Sequence, residues 1–79
     1  MYWIVEACRQ AREDTGHRTS EIAGAVPIDQ STVTRWEAHR TRPRDPDQMV
    51  TAYSRVTGIP GPELWARALE LQAEIENTP

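Results

Sequence analysis

The stretch TSEIAGAVPIDQSTVTRWE, residues 19–37, decides how this 79-residue chain folds, because it holds two short helical patterns on either side of a proline. Ile22, Ala23 and Val26 lie on one face of the first pattern at helical spacing. Pro27 then interrupts the pattern, since proline has no backbone N–H and cannot continue a helix interior. The stretch therefore predicts two helices joined by a tight turn.

The second of these helices has two chemically different faces. It is predicted to run from Gln30 to about His39, with Asp29 as its N-cap rather than as a contact residue. Val33 and Trp36 form its apolar face, three residues apart. The opposite face carries short hydrogen-bonding side chains and one long cation: Gln30, Ser31, Thr34 and Arg35. The β-branched residues here are mediocre helix formers, so helix propensity does not explain this composition.

Positive charge is concentrated at the end of the same helix. The net charge of the chain is -3, yet four of its nine cationic residues fall within residues 27–44. They are Arg35, Arg40, Arg42 and Arg44. The acidic total argues against a protein covered in polyanion-binding surface. It is compatible with one basic edge, because charges act over a Debye length of about 10 Å.

The polar face and the clustered arginines match the base edges and phosphates that DNA presents at its major groove. The groove is wide enough for an α-helix, and glutamine can pair with adenine, arginine with guanine, and serine or threonine with either kind of edge. Arginines beyond the helix end would then meet phosphates. A polar face is also typical of plain solvated helix surface, so the face alone leaves both interpretations open.

Glycine and proline positions predict three further helices and an all-α fold. The predicted helices cover residues 3–14, 20–26, 30–39, 46–57 and 61–75. Thr19 is the predicted N-cap of the second helix and Asp45 that of the fourth, where Pro46 follows at the first helical position. Residues 76–79 are expected to fray, and residues 1–79 are expected to form a single domain.

The fifth helix carries more apolar side chains than one packed face needs. Six apolar positions fall within twelve residues: Leu64, Trp65, Ala68, Leu69, Leu71 and Ile75. The candidate dimer seam is Leu64, Ala68, Leu71 and Ile75, which recur at a/d spacing, with Trp65 and Leu69 alongside, although part of this stripe must cover the core. Glu70, Glu74 and Glu76 make the end of the helix acidic, so we expect a weak homodimer that forms mainly on DNA.

Residues 19–37 resemble the helix-turn-helix of the lambda-repressor-like (Cro/cI, XRE) family. The match rests on Ile22-Ala23, Ile28, Val33 and Trp36, and WEAHRTRP at residues 36–43 is similar to the family's Trp-Glu-x-Gly-x-x-x-Pro run. The resemblance covers roughly residues 4–66. It implies a five-helix DNA-binding domain whose motif spans residues 19–40, with the helix-turn-helix at helices two and three.

The resemblance also implies roles for individual residues. Base reading falls to Gln30, Ser31, Thr34 and Arg35. Contacts to the DNA backbone fall to Thr19, Thr32, Arg40, Arg42 and Arg44. Glu37 is expected to pair with Arg12 on helix one. The chain departs from the family pattern at Pro27 and His39, which both replace glycine, and at Thr19, which replaces glutamine.

We therefore expect a sequence-specific regulator of transcription that binds double-stranded DNA, a Cro-like or repressor-like protein acting by operator occupancy. The alternatives are an antitoxin of a toxin–antitoxin pair and an interaction module that has lost DNA binding. An enzyme is not expected, since the histidines, the carboxylates and Cys8 show no catalytic spacing. No cofactor or metal is expected. The single cysteine and the lack of a long apolar run predict a cytoplasmic protein, in the bacterial host if phage-encoded.

Overall fold

The computed structural model describes residues 2–76, and within them the chain forms five α-helices and no strand. The helices are α1 (Trp3–Asp14), α2 (Thr19–Ala25), α3 (Gln30–Glu37), α4 (Pro46–Thr57) and α5 (Gly61–Glu76). The prediction of an all-α fold is confirmed. None of these helices is long and apolar enough to span a membrane.

One hydrophobic cluster holds the helices together, and every helix contributes to it. Helix α1 packs against α3, α4 and α5, while α2 packs against α3 and α4. The largest fully buried side chains come from all five helices: Val5, Cys8, Ile22, Val33, Met49, Tyr53 and Leu64. Helix α3 is thus fixed from one side, and its other side is left to solvent.

The start of α2 differs from the predicted one. Thr19 is the first helical residue, and Arg18, in an extended conformation, is the N-cap. The backbone N–H of Arg18 donates to the Glu21 carboxylate at 2.7 Å, which is the return half of a capping box. The prediction of Thr19 as N-cap was wrong by one residue, and the Thr19 hydroxyl accepts a bond from the Gln30 amide of α3.

Helix α3 ends at Glu37, two residues before the predicted end at His39. His39 has a φ of 59°, in the left-handed region that glycine prefers. Its N–H donates to the Trp36 carbonyl, and the Arg40 N–H donates to the Arg35 carbonyl, both at 3.0 Å. These two bonds form a Schellman motif, so a histidine closes the helix where a glycine usually does.

Two backbone hydrogen bonds close the turn between α2 and α3. The Val26 N–H donates to the Ile22 carbonyl at 3.2 Å, and the Ile28 N–H donates to the Ala23 carbonyl at 3.1 Å. Pro27, between them, has no N–H to satisfy. A proline at this position of the turn therefore leaves no donor unpaired.

The other helix ends agree with the sequence in part. Asp45 caps α4 by accepting a bond from the Gln48 N–H at 3.1 Å, and Gly58 ends that helix with a φ of 78°. Asp29 occupies the N-cap position of α3, but its side chain makes no capping bond. Of the tail predicted to fray, Glu76 is the last residue of α5, and residues 77–79 lie outside the described part.

Candidate nucleic-acid interface

The two faces of α3 differ in exposure as their chemistry suggests. Val33 and Trp36 are buried, and both contribute to the core. The four residues predicted to read bases are all exposed: Gln30, Ser31, Thr34 and Arg35. They form one continuous polar surface along a helix whose opposite side is anchored.

Hydrogen bonds organise this polar surface. The Gln30 side-chain amide donates to the Thr19 hydroxyl at 2.9 Å, which ties the first residue of α3 to the first residue of α2. The Arg35 guanidinium donates to the Thr32 hydroxyl at 3.3 Å, and the Thr34 hydroxyl donates back to the Gln30 carbonyl at 3.1 Å. Two residues predicted to contact the DNA backbone, Thr19 and Thr32, are thereby brought beside two predicted base readers.

The arginines of the chain fall into two groups. Within residues 2–76, ion pairs with carboxylates are made by Arg9, Arg12 and Arg67. Six exposed arginines make no ion pair with a described carboxylate: Arg18, Arg55 and the four at and after the end of α3, which are Arg35, Arg40, Arg42 and Arg44. Their charge is not neutralised by carboxylates of residues 2–76, so it is open to an external anion.

Arg42 has an aromatic partner that the sequence did not reveal. Its guanidinium carbon lies 5.4 Å from the centre of the Tyr2 ring. A cation over an aromatic face at this distance gains about 0.5–1 kcal/mol at an exposed site. The contact holds the segment between α3 and α4 against the start of α1 and leaves the Arg42 charge in place.

Behind α3, an ion pair joins three helices. The Arg12 guanidinium donates twice to the Glu37 carboxylate, from Nε at 2.8 Å and from Nη2 at 2.6 Å. The hydroxyl of Tyr53 on α4 donates to the same carboxylate at 2.7 Å. The remaining Arg12 nitrogen, Nη1, donates to the His17 carbonyl at 3.0 Å. The last turn of α3 is therefore bound to both α1 and α4.

Burial and this carboxylate shift the pKa values of neighbouring groups. Burial first, and then the hydrogen bond to Glu37, raise the pKa of Tyr53, so the phenol stays a donor. The hydrogen bonds from Arg12 to Glu37 raise the pKa of the guanidinium. Burial, with a contribution from Glu37, raises the pKa of Cys8 to about 12, which makes that thiol a poor nucleophile.

Tyr53 was not identified from the sequence as a member of this network. A usable signal existed, since a buried tyrosine hydroxyl normally finds a hydrogen-bond partner. The sequence could not identify that partner. The residue is contributed by another helix, 16 positions away in the chain.

A second polar cluster anchors the residue that closes α3. The His39 ring nitrogen Nε2 lies 3.2 Å from Glu6 Oε2, and Arg9 also donates to the Glu6 carboxylate. The bonds from Arg9, assisted by His39, hold the pKa of Glu6 below its ordinary value. The contact fixes the start of the arginine-rich segment to α1.

Residues 2–76 contain no group of three or more His, Cys, Asp or Glu side chains that could hold a metal ion. Comparisons of the chain with models of known protein families, with curated proteins and with solved structures give no match.

Proposed function

We propose that this protein binds double-stranded DNA in a sequence-specific manner, with α2 and α3 acting as a helix-turn-helix and α3 entering the major groove. One observation carries the proposal. The exposed face of α3 is composed of side chains that can pair with base edges, Arg35 among them, and it adjoins Arg40, Arg42 and Arg44; none of these four arginines makes an ion pair within residues 2–76. A solvated surface would have no need to concentrate so much uncompensated charge beside such a face.

The exposed face of α3 supplies the base-reading groups. Gln30 carries an amide that can pair with adenine, and Arg35 is the side chain on this face able to form two parallel bonds with guanine. Ser31 and Thr34 add short hydroxyls that can donate or accept at either kind of base edge. The bonds from Gln30 to Thr19 and from Arg35 to Thr32 set the directions of both long side chains before DNA arrives.

The segment after α3 supplies the backbone contacts. Arg40, Arg42 and Arg44 alternate along it, and the stacking of Arg42 on Tyr2 limits its freedom. Thr19 and Thr32 offer hydroxyls at the edge of the same surface. Contacts of this kind fix the register of a protein on the duplex and carry no sequence information themselves.

The network around Glu37 explains how so short a helix can be positioned accurately. Helix α3 has eight residues, too few to be stable alone in water. Glu37 binds Arg12 and Tyr53, and His39 binds Glu6, so the C-terminal end of α3 is held against α1 and α4. We propose that these bonds keep the base-reading side chains in register.

The biological role that fits best is regulation of transcription by operator occupancy, as in Cro-like and repressor-like proteins. In this role the bound protein blocks polymerase access. We also propose that two copies bind one operator, through the exposed apolar residues of α5: Trp65, Leu69 and Ile75. The alternatives, an antitoxin or a module that binds proteins alone, would use the same α5 surface for a different chain.

Selection of bound sites from random duplex DNA tests the proposal. The expected result is enrichment of one short sequence, with an inverted repeat if two copies bind. The matched control is Arg55→Ala, which removes an exposed arginine from the last turn of α4 and should enrich the same sequence. Recovery of duplexes without any common sequence would contradict specific recognition.

A further inference from the structure

The Asp29 side chain, at the start of α3, has no bonding partner within residues 2–76. The residue is exposed and occupies the N-cap position, yet its carboxylate makes no capping bond and no ion pair with a described residue. The Thr32 N–H, a donor that an N-cap carboxylate commonly binds, donates to the Asp29 backbone carbonyl instead, at 3.0 Å. The first turn of α3 is therefore built without this side chain.

Other carboxylates of the chain differ from Asp29 in this respect. Asp45 occupies the same position at the start of α4, and its carboxylate accepts a backbone N–H of that helix at 3.1 Å. The other two acids within residues 19–44, Glu21 and Glu37, are both hydrogen-bonded. Asp29 is thus the one acid of this stretch whose carboxylate is left to an external donor.

The place of Asp29 in the fold brings it to the proposed interface. In a helix-turn-helix, the recognition helix contacts base edges with its N-terminal residues. The next residue in the chain is Gln30, a proposed base reader whose amide donates to Thr19. The inference therefore rests on the proposed function: with α3 in the major groove, the Asp29 carboxylate lies beside base edges and phosphates.

A carboxylate distinguishes base edges by their donors, because it can only accept hydrogen bonds. In the major groove cytosine presents the N4 amino group, and a carboxylate is its usual protein partner. Adenine also presents an amino group, but its N7 acceptor lies beside it and repels a carboxylate. Guanine and thymine offer acceptors at the corresponding positions. Cytosine is therefore the base that suits an unpaired aspartate.

We propose that Asp29 is a specificity-determining residue whose carboxylate accepts a hydrogen bond from cytosine N4. On any other base the same carboxylate meets acceptors and nearby phosphates with no donor to compensate for its charge. Asp29 therefore lowers affinity for wrong sites more than it raises affinity for the right one. This effect is opposite in sign to that of Arg40, Arg42 and Arg44, which strengthen binding to every duplex.

Selection of bound sites by the Asp29→Asn protein tests the proposal. Asparagine is as good an N-cap as aspartate, so the variant keeps the fold, and it can bind adenine through both N6 and N7. We expect the selected sequence to change from cytosine to adenine at one position and to stay the same elsewhere. An identical sequence from both proteins would overturn the proposal, because a residue that only supports the helix end does not choose a base.

The outcome for the unaltered protein separates this inference from the proposed function. A common sequence that contains cytosine at the position changed by Asp29→Asn supports both. A common sequence that Asp29→Asn leaves unaltered supports the proposed function and contradicts the role of Asp29. Recovery of no common sequence by the unaltered protein would contradict the two together.

Affinities of the Asp29→Ala protein test the sign of the effect. Fluorescence anisotropy should show about fivefold or more weaker binding to the selected site. Binding to a scrambled duplex should become at least about twofold stronger, because a negative charge is removed from beside the phosphates. Glu63→Ala, which removes an exposed carboxylate from the first turn of α5, is the matched control and should change neither affinity. Equal losses on both duplexes, or no change on either, would overturn the proposal.

Discussion

At the scale of single residues, Glu37 is a carboxylate that is largely covered by protein and depends on its hydrogen-bond partners. Its side chain is 8% exposed and that of Arg12 is 15% exposed, so the two charges meet largely out of water. Three donors from two other helices converge on the Glu37 carboxylate. A charge in such a place depends on its partners, because a buried and unmatched carboxylate is strongly destabilising.

We predict that Arg12→Met lowers the free energy of unfolding by about 1–3 kcal/mol, because it leaves the largely covered Glu37 carboxylate with Tyr53 alone. The double variant Arg12→Met with Glu37→Met should lose much less than the sum of its single changes. Urea unfolding of the four proteins gives the coupling. As a control, Arg67→Met breaks a 4.0 Å contact to the exposed Asp14 and should cost about 1 kcal/mol or less. Additive losses would mean that the buried pair contributes no more than a surface contact.

The family resemblance predicted Arg12 and Glu37 as partners, and the two side chains form an ion pair. The resemblance did not indicate Tyr53, the third residue of the Arg12–Glu37 network. The hydroxyl meets Glu37 because α4 packs across α1 and α2, and such packing depends on distances between helices that no local pattern encodes.

At the scale of helices and their ends, the sequence was reliable where a residue has one conformational role. Asp45 before Pro46 fixed the start of α4, and Gly58 fixed its end. It was less reliable at α3, where His39 takes a left-handed conformation and ends the helix at Glu37. The resemblance placed His39 where the family has glycine, but the sequence did not show what holds a histidine there: its ring contacts Glu6 from α1.

The end of α3 provides a test of backbone strain. We predict that His39→Gly is more stable than His39→Ala by about 1 kcal/mol, although both variants lose the bond to Glu6. Glycine adopts the φ of 59° without a Cβ clash, whereas alanine does not. Thermal unfolding of the two variants at one pH gives the difference. Equal stabilities would show that α3 ends differently in solution.

The segment after α3 provides a test of the backbone contacts. We predict that replacing Arg40, Arg42 and Arg44 by alanine weakens all duplexes alike and flattens the slope of log affinity against log salt concentration. Each phosphate contact removed should change that slope by about 0.9. Fluorescence anisotropy over a range of salt concentrations gives the slope, with Arg55→Ala as the control. A slope equal to that of the unaltered protein would exclude this segment from the interface.

At the scale of the whole molecule, α5 divides its apolar stripe between two environments. Leu64 and Ala68 are buried in the core, while Trp65, Leu69 and Ile75 are 39%, 69% and 59% exposed. The sequence predicted a contact seam of Leu64, Ala68, Leu71 and Ile75, with Trp65 and Leu69 alongside, and this was wrong for Leu64 and Ala68, which the core buries. That division depends on where α1 crosses α5, which is a property of the assembled fold.

We predict that the free protein sediments close to a monomer and that two copies occupy one operator. Two half-sites one helical turn apart, about 34 Å, would then be read by a pair of α3 helices. Leu69→Glu should reduce affinity for the full operator far more than for a half-site, because it places a charge in the proposed contact between copies. Analytical ultracentrifugation with and without DNA gives the stoichiometry. One protein on an operator without an inverted repeat would contradict the α5 dimer.

The central claim is that the exposed face of α3 reads bases, and Arg35→Ala tests it most directly. Binding of this variant and of the unaltered protein is measured on the selected site and on a scrambled duplex of equal length and salt. Our account predicts a loss of about 1–3 kcal/mol on the selected site, little loss on the scrambled one, and relaxed preference at one base pair. Equal losses on both duplexes would contradict it, because Arg35 would then be a phosphate contact.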